Sequence, residues 1–408
     1  MRVCLVYPGY PPHEQIGGGI SVFGFELAHA LSDSGLRVTV LSRGPASSRL
    51  EREHLDGIEL VRVPGEDPDL VRASHEFSFN RFGSFLFSQH ISVLIDALER
   101  RDGAFDVIEF PDWGAEGFCS IASKQNRCLL RCFTPSFVSE SFNPANPEYL
   151  SPFTKDLERE MLRRARHLSC NSTSLIELIE SSIGQRVHYE REEAVFDVRR
   201  FQCQRHMIEE FSDARPLHIL AVGRLEERKG FDVLITAMRE LFAAKLPIEA
   251  VICGASTHLA DGGDSIQVLA RNAPPNIRFI PPVSYCQIAQ QYQAADVMVV
   301  PSRFDSYPFV AVEAMSAGMP VIASHQCTIS EHMVERETGL IFESNNPSDL
   351  ICKIKYLYEQ PGEITRIGSN AQALALGQFS KEATVPAIIA RYQKIAQFAR
   401  ENGDSSKA

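Results

Sequence analysis

Long apolar runs are missing from this chain of 408 residues. No stretch approaches the roughly 20 apolar residues that a membrane-spanning helix needs. The formal net charge of −11 argues against a general nucleic-acid-binding protein. The chain enters a strand-like segment over residues 3–7 almost at once, which leaves no space for a signal peptide. We therefore expect a cytoplasmic protein that does not bind nucleic acid.

Paired cysteines are scarce as well. The chain has ten cysteines, but none of them form a C-x2-C pair of the kind that zinc sites use. Cys128 and Cys132 are the closest pair, and they lie in an apolar, strand-like run. This pattern indicates buried thiols in a reducing compartment rather than a zinc site.

What the chain does contain is a regular alternation of strand and helix patterns. Such alternation is typical of parallel sheets with helices on both faces, and two sets of it predict an α/β protein with two Rossmann-like domains. The predicted strands lie near residues 2–7, 36–41, 58–63, 106–110, 127–133, 167–171, 217–223, 248–254, 277–280, 296–300, 320–324 and 339–342.

The domain boundary is predicted where this alternation stops. The sequence between residues 198 and 216 is charged and has no strand pattern, so we place the two domains at 1–200 and 214–378. A further amphipathic helix is predicted over residues 380–400. Pro386 is expected to kink that helix or to reset its start, because proline cannot donate a backbone hydrogen bond.

The most informative segment follows a short β-branched strand that ends at Pro301. Helix formers then extend over residues 310–317, so Asp305 and Glu313 lie on either side of a helix start. Free N–H groups at a helix start suit a phosphate, and nearby carboxylates can accept hydrogen bonds from sugar hydroxyls. The alternative is a buried strand and helix of an ordinary α/β protein.

A second segment, Val222–Gly230, places two cations after another predicted strand. Arg224 and Lys229 lie at the carboxyl end of that strand, where open α/β sheets bind their ligands. Two fixed cations can neutralise a diphosphate leaving group without a metal ion. No D-x-D segment lies near this proposed site, so we expect no metal cofactor. The alternative is that both cations form surface ion pairs with Glu226 and Glu227.

A glycine-rich loop, Gly17–Gly18–Gly19, follows the first predicted strand. Residues without a Cβ atom let the backbone approach a ligand closely. The spacing is not G-x-G-x-x-G, so binding of a nicotinamide cofactor receives little support. A flexible turn is the alternative interpretation.

A fourth segment brings two acids and the one tryptophan of the chain to a strand end. The run that begins at Phe105 leads to Glu109, Asp112 and Trp113. An aromatic ring can pack on the apolar face of a sugar while carboxylates accept from its hydroxyls. We therefore predict that these three residues contact an acceptor, although Trp113 suits a core position equally well.

The segment that begins at Pro301 resembles the Glu-x7-Glu segment of the retaining family 4 glycosyltransferases, which have the GT-B fold. The matching residues are Pro301, Ser302, Glu313, Ala314, Met315, Gly318, Pro320 and Val321. Three residues depart from the family pattern. Asp305 stands in place of a Glu, Pro308 in place of a common Gly, and Phe133 in place of a His that contacts the donor sugar in relatives.

The resemblance implies two Rossmann-like domains that face each other across a cleft, with the helix at 380–400 crossing back onto the first domain. It also implies transfer of a sugar from a nucleotide-diphosphate sugar to an acceptor hydroxyl, with retention at the anomeric carbon, in glycan or glycoconjugate biosynthesis. The implied acceptor is a sugar-containing or lipid-linked molecule that enters over the first domain.

The resemblance assigns a role to each candidate on the donor side. Arg224 and Lys229 would hold the pyrophosphate, and Asp305 would face the donor sugar. Glu313 would bind the ribose hydroxyls, with the base near Val283. The other donor contacts would come from Gly18, Gly19, Phe309 and Val310.

Two other functions stay open. One is a non-catalytic GT-B protein that binds a nucleotide sugar or glycan and supports a partner enzyme, which the departures at Phe133 and Pro308 motivate. The other is a nucleotide-sugar epimerase, although the sequence does not point to a set of acid–base groups around C2 of a sugar.

A basic amphipathic helix is predicted between residues 157 and 168. Its cations are Arg159, Arg163, Arg164 and Arg166. Such a helix could make a weak peripheral contact with the anionic inner face of a membrane. A solvated helix face packed on its own domain explains the same pattern and is the interpretation we favour.

Overall fold

The computed structural model describes residues 1–10, 19–44, 50–63, 83–144, 150–203, 210–259 and 263–403. The chain divides into two compact units. The first unit comprises Met1–Val138, Glu148–Phe196 and Lys381–Ala408, and the second comprises Ser139–Pro147 and Asp197–Ser380.

Each unit is built on one mostly parallel sheet. The strands are β1 (Arg2–Tyr7), β2 (Arg37–Arg43), β3 (Glu51–Leu55), β4 (Ile58–Val63), β5 (Val107–Pro111), β6 (Cys128–Cys132), β7 (His167–Cys170), β8 (Glu190–Arg191), β9 (Leu217–Val222), β10 (Ile248–Cys253), β11 (Ile277–Ile280), β12 (Val297–Val300), β13 (Val321–Ser324) and β14 (Leu340–Phe342).

Helices connect most of these strands. Within the described residues the α-helices are α1 (Gly19–Asp33), α2 (Gly83–Asp102), α3 (Phe118–Lys124), α4 (Ser136–Ser141), α5 (Pro152–Arg164), α6 (Thr173–Ile183), α7 (Phe231–Ala243), α8 (Ser265–Asn272), α9 (Tyr285–Ala294), α10 (Phe309–Ser316), α11 (Pro347–Glu359), α12 (Pro361–Gln378) and α13 (Lys381–Asn402).

Six strands of the first sheet, β4-β2-β1-β5-β6-β7, repeat the strand order of the second. The eight-stranded sheet of the first unit has the order β3-β4-β2-β1-β5-β6-β7-β8, and the six-stranded sheet of the second has the order β11-β10-β9-β12-β13-β14. All pairings between these strands are parallel except that of β3 with β4. In each sheet the chain changes its direction of winding between two neighbouring strands, which form the switch point of a doubly wound fold. These strands are β1 and β5 in the first unit and β9 and β12 in the second. Open α/β sheets bind ligands at the carboxyl ends of strands at such a switch point.

Apolar residues at helical spacing explain how the second sheet is covered. Helix α7 buries Leu234, Met238 and Leu241, which recur at intervals of four and three residues and so share one face of the helix. Helix α11 packs beside α7, with Ile354 fully buried. The β-branched strands between these helices and the opposite layer are buried on both faces, as parallel strands usually are.

The strand prediction is confirmed for all twelve segments. The two strands without a prediction are β3 and β8, which are short and consist largely of charged residues. β3 pairs antiparallel at the edge of its sheet, and its side chains are largely exposed. It therefore lacks the apolar pattern by which buried strands are recognised.

The last helix packs within the first unit. Helix α13 begins at Lys381, and Pro386 lies inside it, so the proline does not reset the start of the helix. The helix contacts α1 and β5 and buries Ile388, Tyr392 and Ile395. Cys128 and Cys132 are buried thiols, as predicted.

Candidate functional site

The second unit brings two loops together at its switch point. One loop follows β9 and contains a single 3-10 turn, Glu227–Lys229, and the other follows β12 and leads to α10. The Arg303 N–H of the second loop donates to the Arg228 carbonyl of the first at 2.7 Å. Both loops therefore lie at the carboxyl edge of the sheet, where a ligand is expected.

A glycine allows this close approach. Gly230 has a φ of 65°, a left-handed conformation that residues with a Cβ rarely adopt. A Cβ atom on this residue would also lie 2.0 Å from the Pro301 carbonyl oxygen. The fold therefore requires glycine directly after Lys229, since only glycine lets the turn close against the end of β12.

An ion pair joins the two loops. Lys229 Nζ donates to Asp305 Oδ2 at 2.5 Å, and the Arg228 guanidinium lies 3.7 Å from the other oxygen of Asp305. Although burial opposes ionisation, the Lys229 ammonium and the Arg228 guanidinium hold the pKa of Asp305 below its usual value. Asp305 is therefore a charged, largely buried carboxylate between two cations.

Arg228 is a site residue that the sequence analysis missed. It is buried, donates to Glu226 Oε1 at 2.7 Å and also donates to the Phe304 carbonyl at 2.8 Å. Burial opposes the charge of Glu226, but the neighbouring cations, Arg228 first, keep its pKa below the usual value. In the sequence Arg228 is one of several adjacent charged residues, and no pattern distinguishes it as the one that turns inward.

Arg224 is the more exposed cation of this site. Its side chain is 52% exposed and reaches Glu226 at 3.4 Å, whereas that of Lys229 is 16% exposed. The alternative that both cations pair with Glu226 and Glu227 thus describes Arg224 in part, while Lys229 pairs with Asp305. The structure brings Arg224, Lys229 and Asp305 to one edge of the sheet.

Glu313 lies on α10, in a buried position. Tyr292, from α9, donates its hydroxyl to Glu313 Oε2, and Tyr292 packs edge-on against Phe201. Burial raises the pKa of Glu313 to about 7, although the Tyr292 hydrogen bond and the Arg200 charge act in the opposite direction. Tyr292 was missed by the sequence analysis because an interior tyrosine at helical spacing has the same pattern as a core residue.

The predicted backbone donors have different surroundings. The Phe309 N–H donates to the Tyr307 carbonyl at 2.9 Å, so it already has an acceptor and is not a free phosphate donor in this structure. Val310 lies in the first turn of α10, where backbone N–H groups have no acceptor in the preceding turn of the helix. Val283 follows β11, and its N–H lies beside the thiol of Cys253 at the end of β10.

The glycine loop is described only at its end. Gly19 is the first residue of α1, and this helix follows β1 at the switch point of the first unit. Gly18 lies outside the described residues. The predicted donor contacts of both residues remain predictions.

The prediction that Glu109 reaches a surface is wrong. Its side chain is 0% exposed. One carboxylate oxygen accepts from the Tyr7 hydroxyl at 2.6 Å and from Arg131 Nε at 2.8 Å. The other accepts from Arg131 at 3.0 Å and from the Tyr392 hydroxyl at 2.6 Å. Burial opposes ionisation, but Arg131 and the two tyrosines lower the pKa of Glu109. Glu109 therefore joins strands β1, β5 and β6 to helix α13 and does not face an acceptor.

Asp112 is buried as well, which also differs from the prediction. Its Oδ2 accepts from the Phe133 N–H at 3.0 Å, and burial raises its pKa well above the usual value. Trp113, the next residue, is half-buried and begins a 3-10 turn. Trp113 is therefore the member of the predicted acceptor set whose side chain is partly exposed.

Glu158, which the sequence analysis also missed, holds the turn after Trp113. From α5 it accepts from the Gly114 N–H at 2.7 Å, and from the N–H and hydroxyl of Ser136 at 2.9 and 2.6 Å. Burial raises the pKa of Glu158 to about 7 against these hydrogen bonds. One glutamate among several charged residues of a helix gives no sequence signal for such a role.

Phe133 belongs to an aromatic cluster. Its ring meets Phe23 edge-on at a centroid distance of 5.1 Å and Tyr7 at 6.3 Å, and the residue is almost fully buried. Packing of this kind favours a phenylalanine over a histidine, because a buried imidazole would need hydrogen-bond partners. The departure from the family pattern thus has a structural explanation.

Ion pairs cover much of the basic helix. On α5, Arg159 pairs with Asp156 at 2.9 Å and Arg164 pairs with Glu160 at 2.7 Å. These pairs favour the interpretation as a solvated helix face. In the described part of the chain, no helix combines the length and apolar character required to cross a bilayer. Over the same residues, no group of three His, Cys, Asp or Glu side chains is arranged to hold a metal ion.

Two family models match the chain, one on each side of the unit boundary. Residues 204–374 match the model described as glycosyl transferases group 1, and residues 17–189 match the model described as glycosyltransferase family 4. The two matched ranges together span most of the chain.

Two curated relatives are named as D-inositol 3-phosphate glycosyltransferases. The chain is 23% identical over 398 residues to D-inositol 3-phosphate glycosyltransferase 1 of Catenulispora acidiphila. This match covers 94% of this chain and 92% of that protein. It is 30% identical over 174 residues to the D-inositol 3-phosphate glycosyltransferase of Segniliparus rotundus. That second match spans 42% of this chain and only 38% of the relative.

Solved structures share the fold over almost the whole chain. Sucrose-phosphate synthase from Thermosynechococcus elongatus matches with a TM-score of 0.74 and 19% identity, over 97% of this chain and 98% of that one. The Anabaena protein Alr3699/HepE, in complex with UDP and glucose, matches with a TM-score of 0.65 and 17% identity, over 97% and 100%. These similarities confirm the predicted fold class, with its two Rossmann-like sheets.

Proposed function

Since the chain belongs to the family 4 glycosyltransferases of group 1, we propose that it transfers a sugar from a nucleotide-diphosphate sugar to an acceptor hydroxyl with retention at the anomeric carbon. The observation that supports this most is the charge arrangement after β9 and β12. Arg224 and Lys229 follow one strand of the switch point, and Asp305 follows the other. This edge offers cations to a diphosphate and a carboxylate to a sugar.

The donor diphosphate is expected to bind at Arg224 and Lys229. Arg224 is half-exposed, so its guanidinium can turn from Glu226 to a phosphate while Glu226 keeps its 2.7 Å ion pair with Arg228. Lys229 is already fixed by Asp305. A cation that is in place before the reaction stabilises the charge that develops on the departing phosphate.

In a single-step transfer, retention requires the acceptor to attack the face of C1 that the diphosphate leaves. The bond from C1 of the sugar to the phosphate oxygen breaks, and its electron pair goes to the diphosphate. A new bond forms from C1 to the acceptor oxygen, and the acceptor proton passes to the departing diphosphate. Arg224 and Lys229 stabilise the resulting anion, and no metal ion is needed for the charge balance.

The nucleoside half of the donor is expected to lie near α10. Glu313 would accept hydrogen bonds from the ribose hydroxyls, and Val283 would lie near the base. UDP is bound by the Anabaena protein of the same fold, which supports a uridine nucleotide as the first donor to test.

Trp113 and the first unit are the proposed acceptor side. Trp113 is half-buried and begins the turn that Glu158 holds, so its ring can present a face to a sugar or cyclitol ring. The relatives named as D-inositol 3-phosphate glycosyltransferases make inositol 3-phosphate the first acceptor to test, ahead of lipid-linked glycans. Asp112 is expected to support this turn from below.

The test is donor-dependent release of nucleoside diphosphate. UDP-, GDP- and ADP-sugars are each incubated with inositol 3-phosphate and with glycan acceptors, and the anomeric configuration of any product is read by NMR. Release that depends on an acceptor, with a product of the donor's configuration, is expected. An inverted product would contradict retention. Donor binding without release under every condition would instead favour a non-catalytic nucleotide-sugar-binding protein.

A further inference from the structure

A segment from the first half of the sequence belongs to the second unit. Ser139–Pro147 groups with that unit, although the residues on both sides of it belong to the first, and the structure describes the segment as far as residue 144. Phe142 stacks on Phe304 with parallel rings, at a centroid distance of 5.0 Å. Phe304 directly precedes Asp305, so this stack lies beside the proposed donor site.

The next residue of this segment contacts the other loop of the site. Asn143 is buried, and its side-chain oxygen accepts a 2.7 Å hydrogen bond from the Arg228 N–H. A backbone N–H can only donate, so the contacting atom of the amide is the oxygen. The amide nitrogen of Asn143 is buried and has no hydrogen-bond partner among the described residues.

The geometry points to Asn143 as a positioning residue for the diphosphate site, which acts through the turn that carries Lys229. The inference rests on the proposed function. Arg228 is the middle residue of the Glu227–Lys229 turn. The first N–H groups of a helical turn have no acceptor within the turn, and Asn143 supplies one from outside.

The direction of the Lys229 side chain depends on this turn. Lys229 follows Arg228 directly, and its N–H is bonded to the Glu226 carbonyl at 3.0 Å. Without the Asn143 oxygen, a buried N–H would lose its acceptor, and the turn would relax until that N–H found another one. A shift of about 1 Å in a group that binds the leaving diphosphate can lower the rate roughly a hundredfold.

A double-mutant cycle tests whether Asn143 acts through Lys229. Calorimetry with UDP, ADP and GDP first identifies the nucleoside diphosphate that the unaltered protein binds most tightly. Asn143→Ala is expected to weaken this binding about tenfold, as the loss of one buried hydrogen bond allows. When Lys229→Ala is already present, the same substitution should weaken it less than twofold, because the cation that Asn143 positions is gone.

A second variant and a control complete the experiment. Asn143→Ser keeps a polar group in the buried position, but its side chain is too short to reach the Arg228 N–H. It should therefore weaken nucleotide binding about tenfold as well, and it serves as the test if Asn143→Ala does not fold. Asn276→Ala is the control, because the Asn276 amide also binds a backbone group, the Ile248 carbonyl at 2.7 Å, but at the amino end of β10. The control should leave the affinity unchanged. Thermal unfolding verifies that each variant is folded.

The outcomes separate the two proposals. Unchanged affinity in the folded Asn143 variants, or an equal loss with and without Lys229, would overturn the positioning role alone. If the unaltered protein binds none of the three nucleoside diphosphates, the proposed function fails and the positioning role fails with it.

Discussion

The switch points of the two sheets have the same topology but hold their charges differently. In the second unit, Arg224 and Lys229 are 52% and 16% exposed and lie beside a carboxylate at the sheet edge. In the first unit, Glu109 and Arg131 are both 0% exposed and are enclosed by two tyrosines. Both are arrangements of paired charges, yet one is open to a ligand and the other is sealed.

This difference shows what separates a binding site from a structural ion pair. A fully buried pair such as Glu109 and Arg131 supports the fold, since a ligand could not replace either partner without opening the core. Arg224, by contrast, is half-exposed and can turn to a phosphate, because Glu226 keeps its ion pair with Arg228. The presence of paired charges alone does not distinguish the two cases, because both sets of residues lie on or after strands of a parallel sheet.

The largest expected effect concerns the sealed pair. Glu109→Gln should lower the free energy of unfolding by about 3 kcal/mol, because Arg131 would be left as a buried guanidinium with less countercharge. Urea unfolding measures the change. Once folded, the variant should bind nucleoside diphosphate like the unaltered protein.

A matched control is Glu160→Gln. Glu160 pairs with Arg164 at 2.7 Å on an exposed face of α5, so its loss should change the free energy of unfolding by less than about 1 kcal/mol. If Glu109→Gln is as stable as this control but loses sugar transfer, Glu109 acts on the acceptor and the structural interpretation is wrong.

The next largest effect concerns the open site. Arg224→Ala and Lys229→Ala should each lower turnover roughly a hundredfold or more while the fold survives, since each removes a charge placed where the leaving group develops its own. Lys353→Ala is the control, because Lys353 pairs with Glu335 at 2.8 Å away from the switch point. Steady-state kinetics with a saturating donor measures the change. Near-normal turnover in both Arg224 and Lys229 variants would exclude the diphosphate assignment.

The fold could be predicted from the sequence because its strands are short, apolar and regularly spaced. Parallel strands are buried on both faces, so each of them forms a short apolar run between more polar segments of the sequence. The strands β3 and β8 escaped because their residues are charged. An edge strand needs no buried face, and composition therefore carries no signal for it.

The site could be predicted only as far as local segments reveal it. Arg224, Lys229, Asp305 and Glu313 lie in segments with a strand, a turn and a helix start, and the structure places the first three at one edge. Contacts between segments distant in sequence could not be predicted. Asn143 lies 85 residues before the Arg228 N–H that it accepts from, and no local pattern connects the two.

The burial of Glu109 and Asp112 was missed for the same reason. Glu109 lies within β5 and Asp112 directly follows it, and the end of this strand lies at the carboxyl edge of the sheet. Whether a side chain there faces a ligand or the core depends on what covers it. For Glu109 the cover is Tyr392, which lies 283 residues later in the sequence.

A smaller effect is expected from Glu313→Ala, which should weaken binding of nucleoside diphosphate by about 2 kcal/mol. The ribose hydroxyls would lose a charged acceptor, and hydrogen bonds to charged groups contribute about 1.5–3 kcal/mol. Calorimetry measures the affinity. Unchanged affinity would exclude the ribose-binding role.

Glu313 should also make stability and binding depend on pH. Burial raises its pKa to about 7, above the value of an unfolded glutamate, so the folded state binds the extra proton. The contribution of Glu313 to stability is therefore greatest below the unfolded pKa and falls as the pH rises towards 7. Glu313→Gln should remove this part of the pH dependence of the free energy of unfolding.

Nucleotide binding should depend on pH as well. Ribose binding favours the ionised carboxylate, so the affinity for nucleoside diphosphate should rise from pH 6 to 8 more steeply in the unaltered protein than in Glu313→Gln. Parallel curves for the two proteins would contradict the assignment.

The smallest expected effect is that of removing divalent metal ions. The acids at the open site already have cationic partners, Asp305 with Lys229 and Glu226 with Arg228. A carboxylate paired in this way is a poor metal ligand, because binding the ion would require breaking the pair. In the proposed function, Lys229 and Arg224 would supply the countercharge that a metal ion could otherwise provide. Turnover should therefore change by less than about twofold when EDTA is added, and magnesium should not restore activity to Lys229→Ala.

Turnover is measured in EDTA and again after magnesium or manganese is returned. If EDTA abolishes turnover and either metal restores it, the open site uses a metal ion, and the contrast between the two switch points would no longer rest on protein charges alone.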